Sequence, residues 1–198
     1  MPTESDLVTF AEFSRSWLST WAIIRLKQSG YQEYEGICRN WLIPKFGELQ
    51  LSEITAEAIQ SWVASLIAGG VAPATARNRL MVLKRVLETA VEYGLILENP
   101  VDSEAFPRVE RQEMKFLSPA EVRCLLDATP ESWRLLLALP ALCGLRKGEC
   151  LALEWSDIDT DAMTISINKT MRSGRITSPK TSSSRSVVPM PESLSPLI

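Results

Sequence analysis

Arg146 and Glu149, in the run Gly144-Leu-Arg-Lys-Gly-Glu149, are the side chains of this sequence best placed to act on a charged group. Gly144 and Gly148 bracket the arginine and let the backbone bend sharply just before an amphipathic stretch. A guanidinium held in such a turn offers a two-pronged donor that fits a phosphate or a carboxylate. Glu149 lies one helical turn away and can orient it. The same spacing also fits an ordinary exposed ion pair at a helix start, worth about 0–1 kcal/mol.

Other chemistries are narrowed by composition. The chain has 198 residues, 45% of them hydrophobic, which suits one or two domains with real cores. It contains no histidine, so an imidazole base and mixed cysteine–histidine zinc sites are excluded in this chain. Cys38, Cys124, Cys143 and Cys150 form no CxxC pair. Cys143 and Cys150 are close enough in sequence to form a redox pair, although buried thiols in helical cores read the same way. No stretch approaches the roughly 18–20 apolar residues that span a bilayer. The acidic start Met-Pro-Thr-Glu-Ser-Asp is unlike a signal peptide, so the cytoplasm is the expected compartment.

Net charge is −3, but its distribution is uneven. Residues 71–87 carry Arg77, Arg79, Lys84 and Arg85 with no acid, and residues 163–190 carry Lys169, Arg172, Arg175, Lys180 and Arg185 with no acid. Local positive fields, not net charge, decide attraction to a phosphate backbone. Solvated surfaces are the plainer reading of both runs.

The elements that must position these groups fall into two parts. Phe10, Phe13, Trp17 and Ile24 mark one helical face, Gly30 is expected to break it, and Tyr31, Tyr34, Cys38 and Trp41 or Leu42 resume the pattern until Pro44 and Gly47. A third helix buries Ile59, Trp62 or Val63, and Leu66 before Gly69-Gly70, and a fourth starts at Pro73 with Leu80, Leu83, Leu87 and Val91 inside. These predict a four-helix bundle over 7–97. Residues 98–114 are polar, contain two prolines and read as a linker. In 115–198, Ser118-Pro-Ala-Glu121 is a capping box, helices are expected at about 119–128 and 132–142, and a further one runs from the Arg146 turn to about Leu153. Met163, Ile165 and Ile167 alternate as in a strand, and Val187-Val-Pro-Met190 is a second strand candidate. The expected fold is mainly α with a small β-hairpin or sheet.

Several motifs stand in a telling order: Pro44-Lys-Phe-Gly47, Leu51-Ser-Glu-Ile-Thr55, Pro73-Ala-Thr75, Gly94-Leu-Ile-Leu-Glu-Asn-Pro100, Phe116-Leu-Ser-Pro-Ala-Glu-Val122, the Arg146 box through Trp155-Ser-Asp-Ile-Asp159, and Pro179-Lys-Thr181 with Ser184-Arg185. From about Thr9 to Met190 the chain resembles the tyrosine recombinases, the phage-integrase family of DNA strand-exchange enzymes. Ala72 departs from the serine usual before the proline of the fourth helix. The resemblance implies a SAM-like core-binding bundle followed by the N-terminal half of an α+β catalytic domain. It also implies that Arg146 grips a non-bridging oxygen of the scissile phosphate, that Lys180 protonates the departing 5′ oxygen, and that Glu149 supports Arg146.

Arg77, Arg79, Lys84, Arg172 and Arg185 become candidate DNA contacts, although Lys84 or Arg85 must partly face elsewhere on its helix. Double-stranded DNA is the implied partner, with self-association on DNA; no metal and no cofactor are implied. The nucleophilic tyrosine has no match: Tyr31, Tyr34 and Tyr93 all lie in the first part at core-like spacing. The expectation is therefore a truncated recombinase unable to cleave by itself. The alternatives are a non-catalytic DNA-binding or regulatory protein derived from an integrase, or a helical interaction domain.

Overall fold

The computed structural model describes residues 8–110, 113–172, 174–177 and 186–197. The chain divides into two compact units, Met1–Gln112 and Glu113–Ile198.

The first unit opens with helix α1 (10–25), built from Phe10–Trp17, a π-turn at Leu18–Ala22 and Ile23–Arg25. Thr9 caps it: its hydroxyl accepts the Glu12 N–H, and the Glu12 carboxylate accepts the Thr9 N–H at 3.1 Å. The chain reverses at Leu26 and Lys27, both extended, and not at Gly30. Leu26 packs onto the core, which fixes the turn there, while Gly30 is absorbed into the first turn of the next helix.

That helix, α2 (28–46), joins Gln28–Ile37, a second π-turn at Cys38–Leu42 and Ile43–Phe46. Pro44 does not end it. The Ile43 N–H bonds to the Cys38 carbonyl five residues back, and this widened turn accommodates a ring that has no N–H to offer.

After a 3₁₀ turn at Leu51–Glu53, Thr55 caps α3 (Ala56–Ala68), and Pro73 starts α4 (Pro73–Glu92). Ile59, Trp62, Val63 and Leu66 of α3, and Leu80, Leu83 and Leu87 of α4, are buried as their periodicity predicts. Phe10 meets Phe46 edge-on at 6.2 Å, and Phe46 meets Trp62 at 5.4 Å. The Trp17 indole N–H donates to the Thr89 hydroxyl at 2.9 Å inside this core.

Residues 98–106 are not a free linker. The Asn99 amide donates to the Lys84 carbonyl at 2.9 Å, its oxygen accepts the Val101 N–H at 3.0 Å, and Val101 and Ala105 are buried in the first unit's core. An asparagine turn followed by small apolar side chains lets a polar segment lie against the bundle.

The second unit begins with the Ser118 capping box and α5 (Pro119–Ala128), then α6 (Glu131–Cys143), which carries Pro140 within it. Gly144, at φ 70°, closes α6 in the left-handed conformation. The short helix α7 (Lys147–Cys150) follows and gives way to a turn at Leu151 and Ala152, before the expected Leu153. A 3₁₀ turn at Trp155–Asp157 leads into an antiparallel sheet ordered β1 (Ile158–Asp159), β2 (Thr164–Ile167), β5 (Ser186–Pro189). A separate hairpin pairs β3 (Thr170–Arg172) with β4 (Arg175–Thr177). Ile165 and Ile167 face inward onto Ala138, Leu139, Leu145, Cys150 and Leu194. No helix among the described residues is long and apolar enough to cross a membrane.

Candidate functional site

In the second unit the Arg146 turn is a built device. Gly144 ends α6, Leu145 is buried, and Arg146 stands in extended conformation as the residue capping α7. One Glu149 oxygen accepts the Arg146 backbone N–H at 2.8 Å, and the other accepts its guanidinium at 2.9 Å. The Glu149 side chain is 8% exposed and that of Arg146 is 78% exposed. A buried carboxylate thus fixes one edge of a guanidinium whose remaining donors face solvent, a geometry suited to gripping an anion.

Helix α7 is pressed against the hairpin. A Cβ at Gly148 would collide with the Thr170 hydroxyl and lie 2.8 Å from the Met171 carbonyl, so only glycine fits. Arg172 of β3 is exposed and sits directly across from Arg175 of β4. Like charges opposed in this way repel unless an anion lies nearby. Lys180 and Arg185 lie outside the described residues.

A cluster that sequence reasoning missed lies beside this hairpin. The Lys169 ammonium is 2.7 Å from Glu154 and 3.1 Å from Asp157. Burial raises the Asp157 carboxyl, but the Glu154 N–H, Lys169 and Asn168 outweigh it and hold the group below its ordinary value. The Glu154 carboxylate, and then Asp157, raise the Lys169 ammonium against the opposing effect of burial. The one local signal was the Glu154-x-x-Asp157 spacing, which lets Asp157 accept the Glu154 N–H at 2.9 Å.

In the first unit the basic residues of α4 stack on aromatic rings. Arg79 lies 3.3 Å from the ring centre of Trp41, and burial lowers its pKa. Arg77 and Lys84 both lie over Phe106, at 5.2 and 5.8 Å. Arg85 covers Trp21 at 4.5 Å and pairs with Glu88 at 3.0 Å, so its charge is largely answered within the protein. Trp21, Tyr34, Met81, Lys84, Arg85 and Glu88 line a shallow pocket of about 220 Å³. Two buried donors have no partner among the described residues, Trp21 Nε1 and Arg79 Nη1, and both belong to this aromatic–basic set.

The four cysteines are free thiols. Burial pushes Cys38 up to about 12 and also raises Cys143 and Cys150, which disfavours the thiolate that redox exchange requires. Among the described residues no group of three or more Cys, Asp or Glu is placed to hold a metal ion.

Comparison with known proteins gives these units a context. Residues 9–67 match the family described as phage integrase, N-terminal SAM-like domain. The integrase of Mycobacterium phage L5 is 30% identical over 173 residues, covering 87% of this chain and 45% of the relative. A XerC-like tyrosine recombinase of Caldanaerobacter subterraneus is 26% identical, covering 96% of this chain and 54% of the relative. The chain therefore spans about half the length of the curated relatives it matches. Among solved structures, the Tn1549 transposon integrase in complex with a circular intermediate DNA superposes with a TM-score of 0.81 at 18% identity. That match covers 96% of this chain and 63% of the other, and the likeness is one of fold. The chain is a homologue of the phage integrases and tyrosine recombinases, with their SAM-like domain at residues 9–67.

Proposed function

We propose that this chain binds duplex DNA as part of a site-specific recombinase of the tyrosine type, with Arg146 as the residue that grips the scissile phosphate. The observation carrying this reading is the exposed Arg146 guanidinium anchored to buried Glu149. Charge developing on a pentacoordinate phosphorus is stabilised most by a donor already in place before reaction. Glu149 supplies that preorganisation as a positioning residue. Lys180, a lysine in a Ser/Thr-rich basic segment, is the proposed proton donor to the leaving 5′ oxygen.

Arg77, Arg79 and Lys84 on α4, together with Arg172 and Arg185, supply phosphate contacts. Stacking on Trp41 and Phe106 holds the first three guanidinium and ammonium groups in place before DNA arrives. The proposed domains are 7–97 for core binding, 98–114 as the connection and 115–198 for the catalytic-type fold. No metal and no cofactor take part in the proposed chemistry. Copies associate on the DNA, and the four free thiols fit a reducing cytoplasm.

A second reading, a DNA-binding protein without the cleavage chemistry, draws on Arg77 and Arg79 of α4, which Phe106 and Trp41 hold in place for phosphate contact whether or not cleavage follows. Gel shifts across a salt series test DNA binding: affinity must fall as salt rises, and salt-independent or absent binding would sink both readings. A nicked suicide substrate tests cleavage. These 198 residues are expected to form no covalent protein–DNA adduct, and an adduct would reassign the nucleophile to a residue present here.

A further inference from the structure

We propose that Lys169 is a positioning residue that ties the Arg146 helix to the β3–β4 hairpin, so that both basic segments meet DNA as one rigid element. The inference rests on the DNA-binding reading above. Lys169 occupies the two-residue link between β2 and β3, and its side chain is only 22% exposed. Its ammonium holds Asp157, itself 7% exposed, and Glu154. Asp157 in turn accepts the Glu154 N–H and, at 3.5 Å, the Asn168 amide. The turn at 154–157, which follows α7, is therefore clamped to residues 168–169, which precede β3.

A second contact joins the same two segments. Gly148 of α7 lies against Thr170 and Met171 of β3. The hairpin is thus held to the Arg146 helix by close backbone packing at one point and by a charged clamp at another. The basic residues divide accordingly. Arg146 and Arg172 are exposed, whereas the charge of Lys169 is taken up inside the protein. Without it, Asp157 would remain buried with no cation beside it, and the turn carrying it would loosen.

The test uses the full 198-residue chain as wild type, Lys169→Met, Lys169→Arg, Asp157→Asn and the Lys169→Met/Asp157→Asn double variant. In hydrogen exchange without DNA, Lys169→Met is expected to speed exchange at least about fivefold in both 147–152 and 170–177, leaving 119–143 unchanged. Lys169→Arg restores protection in both. Exchange that rises in one segment alone, in neither, or throughout the second unit overturns the proposal.

In duplex-DNA titrations at fixed salt, Lys169→Met and Asp157→Asn are each expected to weaken binding about three- to tenfold, with the double variant no weaker than the weaker single one. Additive losses would make Lys169 a direct DNA contact and overturn the positioning role. If the wild-type chain fails to bind DNA, the proposed function falls, while the exchange experiment still decides whether Lys169 makes the tie.

Discussion

Arg146 is exposed yet not free, because Glu149 holds both its backbone and its guanidinium. Removing the carboxylate should therefore act twice. Glu149→Ala is expected to lower the stability of the second unit by about 1 kcal/mol, the usual cost of losing a helix cap, read from the urea midpoint. It should also weaken DNA binding, whereas Arg146→Lys, which keeps a cation beside buried Glu149 but loses the two-pronged donor, should weaken binding with little change in midpoint. Equal stability losses for the two variants would make Arg146 a structural residue. In the first unit, Trp17→Phe removes the donor to Thr89 while keeping most of the ring. A loss of about 1–3 kcal/mol by denaturant titration is expected, because the smaller ring leaves a void in the core, while Thr89 still donates to the Arg85 carbonyl at 3.1 Å.

Elements carry their own constraints. Gly148 is required by the approach of α7 to β3, so Gly148→Ala should cost about 1–3 kcal/mol and loosen the hairpin. An unchanged thermal midpoint would show that the two segments separate easily. Acid should act on the clamps. Asp157 lies below its ordinary 3.8, and Glu12 and Glu121 are lowered by hydrogen bonds from Thr9 and Ser118. Groups whose folded pKa is depressed stabilise the fold above their unfolded pKa, and that contribution is lost as pH falls through the folded value. Thermal midpoints should therefore fall as pH drops from about 5 to about 3, and less steeply in Asp157→Asn. An equal slope in that variant would remove Asp157 from the acid response.

At the scale of the whole chain, charge and apolar surface pull in different directions. A net charge of −3 coexists with two acid-free basic runs, so binding to DNA is expected to be local and salt-sensitive. On the second unit Trp133 (60% exposed) and Leu137 (39%) stand one turn apart on α6, and Leu125 (44%) is open on α5. Open faces of this kind associate. Sedimentation should show concentration-dependent self-association that diminishes in Trp133→Ser/Leu137→Ser. A monodisperse wild-type chain at about 100 μM would contradict this.

Much of this protein was legible from local sequence. The periods of Ile59, Trp62 and Leu66, the capping box at Ser118, the alternation at Ile165 and Ile167, and the Gly144-Leu-Arg146 turn each depend on residues a few positions apart. Backbone geometry acts at that range, so their elements formed nearly where expected. What tertiary structure alone decided depends on distant partners. Leu26 moved the first helix break away from Gly30 by packing on the core, and Asn99, Val101 and Ala105 drew part of an apparent linker onto the bundle. Trp41 and Phe106 received the arginines of α4, and Asp157 found Lys169. Stacking and buried ion pairs are made across space, and a one-dimensional pattern does not say which ring or carboxylate will be waiting there.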